Sequence, residues 1–122
     1  MHISREETLT HTIQAYGENQ LKINAITYDN SLIVSADSII SPWALSAHTL
    51  DLPDIESLLT LKPEVILVGH HKQRMPLTAA ATQALVDAQI GIEIMSTGAA
   101  CRTFNLLLQE NRRVVLGVVF NK

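Results

Sequence analysis

Aromatic residues make up only 4% of this 122-residue chain, so its core must be built mostly from Leu, Ile, Val and Ala. The single cysteine, Cys101, excludes an internal disulfide and fits a reducing compartment. No apolar run approaches the roughly 18 residues of a membrane span. The opening stretch MHISREETLTHT is too polar and too acidic for a signal h-region or a mitochondrial presequence. Direct membrane insertion is therefore not expected, and the expected location is cytoplasmic. Basic charge is scarce as well. A net charge of -3 leaves no footprint for nucleic acid, whose binding needs clustered Lys and Arg to displace counterions. Arg112-Arg113 is the adjacent basic pair, and two charges near a helix end are ordinarily dipole partners or solvated residues.

A hydrophobic fraction of 47% is what a globular chain needs to offset the entropy of folding, and the length allows one domain. Residues 1–10 carry no hydrophobic period and are expected to form a flexible arm, with a single α/β domain over residues 11–122. Thr12–Tyr16, Gln20–Tyr28 and Leu32–Ala36 are rich in Ile, Thr, Val and Tyr and are separated by turn-formers, which predicts an antiparallel meander of three strands. Ser41-Pro42-Trp43 stops regular structure. Residues 44–52 are ambiguous. Asp54 is the expected cap of a short helix reaching about Leu61, with Ile55, Leu58 and Leu59 on one face.

The second half has a different rhythm. Val65–Val68 is a continuous apolar run between Pro63 and Gly69, as expected of a strand buried on both faces. Thr78 caps a helix with Ala81, Ala84, Leu85 and Ala88 on one face, ending near Gly91. Ile92–Met95 is a short strand, and Ser96-Thr97-Gly98 caps a helix with Ala100, Phe104, Leu107 and Leu108 aligned. Val114–Phe120 is the closing strand. Strand, helix, strand, helix, strand implies parallel pairing. The expected fold is a three-layer α/β domain: a mixed, mainly parallel central sheet with flanking helices and the N-terminal antiparallel meander.

Parallel strands place Gly69-His70-His71-Lys72 and Ser96-Thr97-Gly98-Ala99 at one edge of the sheet, where ligands of open α/β folds gather. The helix beginning near Ser96 offers unpaired N–H groups, and Gly98 would let an anion approach. Ordinary capping with tight packing is the bland reading of the same residues. Cys101 in the first turn beside Arg102 has two influences favouring thiolate, against which stands its place next to an apolar face. His70 and His71 are adjacent, so on a strand their rings would point apart, and a metal site would need His48, His11 or a carboxylate brought in by the fold; polar loop residues are the expected reading. Lys72, Arg74 and Arg102 form a cationic rim suited to an anionic ligand or an acidic partner surface. Trp43 is either core or an anchor for a partner. With no paired acid and base and no nucleophile with its base, no catalytic residue, metal or cofactor is assigned.

The run GIEIMSTGAACRTFNLLLQENRRVV, residues 91–115, resembles the C-terminal signature of an uncharacterised α/β domain family. That family includes the mitochondrial respiratory complex I assembly factor 3 and adipogenesis-associated cytosolic proteins. Ile26–Val34, Ser41-Pro42-Trp43 and Val65–Pro76 resemble its strand pair, its Pro-Trp turn and its apolar strand with a following Arg-x-Pro stretch. The chain departs from it in reading Gly69-His70-His71 where many members read Gly-Thr-Gly, and Phe104 in place of tyrosine. The resemblance implies a three-layer fold and no established reaction. Its mitochondrial members bind a partner factor and early subunits of complex I.

The leading expectation is a non-enzymatic binding or assembly module of a bacterial type. Its protein partners would be membrane-complex assembly components, met at a surface of Gly69, His70, His71, Arg74, Ser96, Thr97, Gly98, Cys101 and Arg102, with Trp43. The alternative is a small anionic-ligand protein or weak enzyme using the helix N-terminus at 96–102. Pairing of two copies through an apolar edge is the third reading.

Overall fold

Residues 114–120 alternate between two buried clusters, and that alternation defines the layers. Val114, Leu116, Val118 and Phe120 join one cluster, whereas Val115 and Val119 join the other, as the two-residue period of a strand requires. The computed structural model describes residues 10–44, 46 and 48–120. The arm expected over residues 1–10 lies outside these except for Thr10.

The elements are β1 (Ile13–Tyr16), β2 (Leu21–Ile23), β3 (Ile26–Tyr28), β4 (Leu32–Val34), β5 (Ile39–Ile40), α1 (Leu52–Leu59), β6 (Val65–His70), α2 (Ala79–Ala88), β7 (Ile92–Met95), α3 (Thr97–Gln109) and β8 (Val114–Val119). Five strands form a mixed sheet in the order β5-β4-β8-β6-β7. β6 runs parallel to both β7 and β8, and β4 runs antiparallel to both β5 and β8. One face of the sheet packs on α3 and on a separate sheet of β1, β2 and β3, through Ile13, Leu21, Ile23, Leu67, Ala100 and Phe104. The opposite face packs on α1 and α2 through Ile55, Leu58, Ile66, Val68, Ala81 and Leu85. This is the expected three-layer α/β domain.

The meander is built differently from the expectation. Gln20–Tyr28 is not one strand but the hairpin of β2 and β3, turning at Asn24 and Ala25, whose φ angles are 47° and 75°. Asn24 tolerates that left-handed backbone, and its side chain joins Thr10 and Thr12. The third expected strand leaves the meander altogether. Leu32, Ile33 and Val34 are all fully buried, which needs cover on both faces, and β4 finds it beside β8 in the central sheet.

The first helix is capped by Asp51, not Asp54. The Asp51 carboxylate accepts from Leu52 N–H at 2.7 Å, and Asp54 Oδ2 accepts from Asp51 N–H at 2.9 Å, a reciprocal capping box with Pro53 in the first turn. Proline is tolerated there because a first-turn N–H has no helical acceptor. α2 ends at Gln89 in a left-handed conformation, φ 58°, before Gly91 is reached. The ambiguous stretch before α1 includes a single parallel bridge between Leu50 and Leu77.

Candidate functional site: a basic cleft at the end of β6

Strand parity divides the predicted surface in two. Along β6, Leu67 belongs to the cluster under α3 while Ile66 and Val68 belong to the cluster under α1 and α2. Gly69 therefore faces α3, and a Cβ there would lie 3.1 Å from Thr97 Cα and 3.2 Å from Ala100 Cβ. It is a packing glycine. His70, next in line, turns to the opposite side of the sheet.

There it lines a cleft of about 530 Å³ together with His48, His71, Lys72, Arg74, Met75 and Pro76. His70 is only 3% exposed, and its Nδ1 accepts from Lys72 N–H at 3.1 Å, so the ring pins the loop that follows it. Gln73 N–H donates to His70 O at 2.9 Å, with Gln73 at φ 62°, which closes a tight turn. His71, Lys72 and Arg74 stand exposed on this turn, and Met75 is 5% exposed beneath them. The two histidine rings do not point apart as a continuing strand would require. Their centroids are 4.4 Å apart, because β6 stops at His70 and the turn returns His71 to the same side. His48 arrives from the loop before α1, and nothing in the sequence signals that it would. Among the described residues no group of three His, Cys, Asp or Glu side chains is placed to hold a metal.

The other half of the predicted surface sits at the N-terminus of α3. Ser96 caps the helix by accepting from Ala99 N–H at 3.2 Å. Gly98 does offer a close approach, but Tyr16 of β1 uses it: a Cβ on Gly98 would lie 2.8 Å from the Tyr16 ring. Arg102 Nη1 donates to Tyr16 Oη at 2.7 Å. One turn further on, Asn105 accepts from Ile13 N–H and donates to Ile13 O, both at 2.9 Å. Gly98, Arg102 and Asn105 thus fasten the small sheet to α3. Tyr16 and Asn105 had no separate sign in the sequence, since their partners, Arg102 and Ile13, lie 86 and 92 residues away.

Two candidate residues lie inside the protein. Cys101 is 1% exposed, and burial pushes its thiol up to about 12, overcoming the opposing pull of the Arg102 guanidinium. It is not a thiolate at neutral pH. Trp43 is 5% exposed, packs on Gly117 of β8 and donates from Nε1 to Asp54 O at 3.1 Å. Both are core residues and leave the contact surface assigned to them from sequence.

Residues 13–119 match the family described as "Protein of unknown function (DUF498/DUF598)". The chain belongs to that family. A 13 kDa major membrane protein of Francisella tularensis subsp. holarctica is 32% identical over 107 residues, covering 81% of this chain and 82% of that protein. The human NADH dehydrogenase (ubiquinone) 1 alpha subcomplex assembly factor 3 is 26% identical over 113 residues, covering 90% of this chain. The chain spans 61% of that human relative's length. The NMR structure of a Xanthomonas campestris protein superposes with a TM-score of 0.80 at 30% identity, covering 98% of this chain and 92% of that one. The crystal structure of an outer membrane protein from Bartonella henselae gives 0.79 at 28%, covering 93% and 97%. Two of these relatives carry "membrane" in their names, whereas among the described residues no helix is long and apolar enough to cross a membrane.

Proposed function

We propose that this protein is a non-enzymatic binding module that helps assemble a larger complex by holding a protein partner at the cleft beyond β6. The observation that carries this reading is the division of chemistry between inside and outside. The one thiol is sealed in the core, while His71, Lys72 and Arg74 are exposed around a preformed concavity. Exposed cations on a rigid turn suit recognition. Kinship with a relative named as an assembly factor supports the same reading. In this reading the protein works in the cytoplasm and meets membrane complexes through its partner.

Affinity purification from native lysate with mass spectrometry tests it, using the wild type, a Lys72→Glu/Arg74→Glu variant and an Arg102→Glu variant. The expected result is a stoichiometric protein partner retained by the wild type and by Arg102→Glu but lost from the double variant. Recovery of nothing above background from the wild type overturns the proposal.

A further inference from the structure

The cleft also identifies the kind of segment that fills it. Building on the binding-module reading, we infer that it docks an extended acidic segment of the partner, with Asp or Glu carboxylates paired to Lys72, Arg74 and His71.

Charge complementarity is the first argument. The chain carries twelve acidic residues against nine basic ones. Among the described residues no carboxylate lines this cleft, whereas His48, His70, His71, Lys72 and Arg74 all do. Two of the nine Lys and Arg side chains, Lys72 and Arg74, thus stand with three histidines around one concavity that no described carboxylate shares. Among the described residues the ion pair of Arg112 with Glu64 lies at the other end of β6 and β8, away from Lys72 and Arg74. The Lys72 and Arg74 side chains are exposed at its rim.

Preorganisation is the second argument. The Lys72 N–H bond to His70 Nδ1 and the Gln73 N–H bond to His70 O hold the turn before anything binds, which lowers the entropic cost of docking. Size and composition choose between a segment and a small anion. About 530 Å³ falls in the range of sites that accept drug-sized ligands, well beyond one phosphate group, and the buried Met75 adds a deformable apolar floor beneath the cations. Several carboxylates spaced along an extended chain, with an apolar side chain between them, match that lining better than a single compact anion.

The test is a fluorescence anisotropy titration with a labelled oligoglutamate peptide at low salt, repeated with the Lys72→Glu/Arg74→Glu and Arg102→Glu variants. Circular dichroism controls for folding, and a Lys72→Ala/Arg74→Ala variant repeats the measurement without introducing repulsion. The peptide is expected to bind, to weaken as salt rises, and to lose at least about tenfold in affinity in the double charge reversal, while Arg102→Glu stays near wild type. Absence of peptide binding, or equal binding by the double variants, overturns the inference. So does inorganic phosphate competing at the same concentration as peptide carboxylate, since that describes a small-anion site. If the peptide does not bind while purification recovers a partner that the double charge reversal loses, this inference fails and the binding-module reading stands.

Discussion

A methyl group placed on Gly117 would come within 2.5 Å of the Trp43 indole, closer than any real Cβ contact. The indole therefore occupies the space that a side chain on the central strand would need. Gly117→Ala is expected to displace the ring and destabilise the protein by about 1 to 3 kcal/mol, as overpacking does. Trp43→Ala should cost about 3 to 5 kcal/mol, since it empties the same space. Urea denaturation followed by circular dichroism checks both, and a shift in tryptophan emission in Gly117→Ala reports the displaced ring.

Cys101 should not react with maleimide or iodoacetamide in the native protein near neutral pH, and should react at once when denaturant opens the fold. Alkaline stability follows from the same burial. The folded thiol titrates at about 12 against an ordinary value of 9.0, so the neutral thiol's contribution is intact below pH 9 and is lost as pH rises from there through the folded value. Cys101→Ala should flatten that alkaline decline. Rapid labelling of the folded protein would contradict the buried thiol.

Acid should act through two surface carboxyls. Leu52 N–H and the Thr78 hydroxyl hold Asp51 below the usual carboxylate range, and Arg113 N–H together with the Arg112 guanidinium does so for Glu64. For a lowered value the stabilisation is present above the ordinary pKa and disappears as pH falls through the folded one. Thermal midpoints should therefore drop below about pH 4, the reference range for carboxyls. Asp51→Asn keeps a capping oxygen and should weaken this acid dependence, whereas Asp51→Ala should also lower the midpoint at neutral pH.

The second half of the fold was legible because its signals are local. Thr78 and Ser96 are caps read directly from sequence, and both accept the bond expected of them, from Ala81 and Ala99. The first half was not. β2 and β3 are three residues each, too short to display a period, and the placement of β4 is decided by β8, more than eighty residues away. In the site, the loop after β6 was legible as a basic edge. His48 was not, because it comes from a different loop. The expectation of one continuous surface failed on parity: Gly69 and His70 are neighbours in sequence but face opposite sides of the sheet.

Asn105→Ala should cost about 1 to 3 kcal/mol, because it leaves the N–H and C=O of Ile13 without their partners at a half-buried junction. Asn105→Asp, which keeps an acceptor but loses the donor, should fall between the alanine variant and the wild type. Equilibrium urea melts distinguish the three.

The fastening of Ile13 and Tyr16 to Asn105 and Arg102 spans 92 and 86 residues of chain. Contacts of such separation set the pace of folding, because the long loop must close before any reward arrives. The hairpin strands at the start of the chain have nothing to dock on until α3 exists, so they are expected to acquire protection in step with that helix. Pulsed hydrogen exchange during refolding would reveal this as simultaneous protection of residues 13–28 and 97–109. Early protection of the hairpins alone would contradict it. On a ribosome, the first strands to emerge would be among the last to be secured.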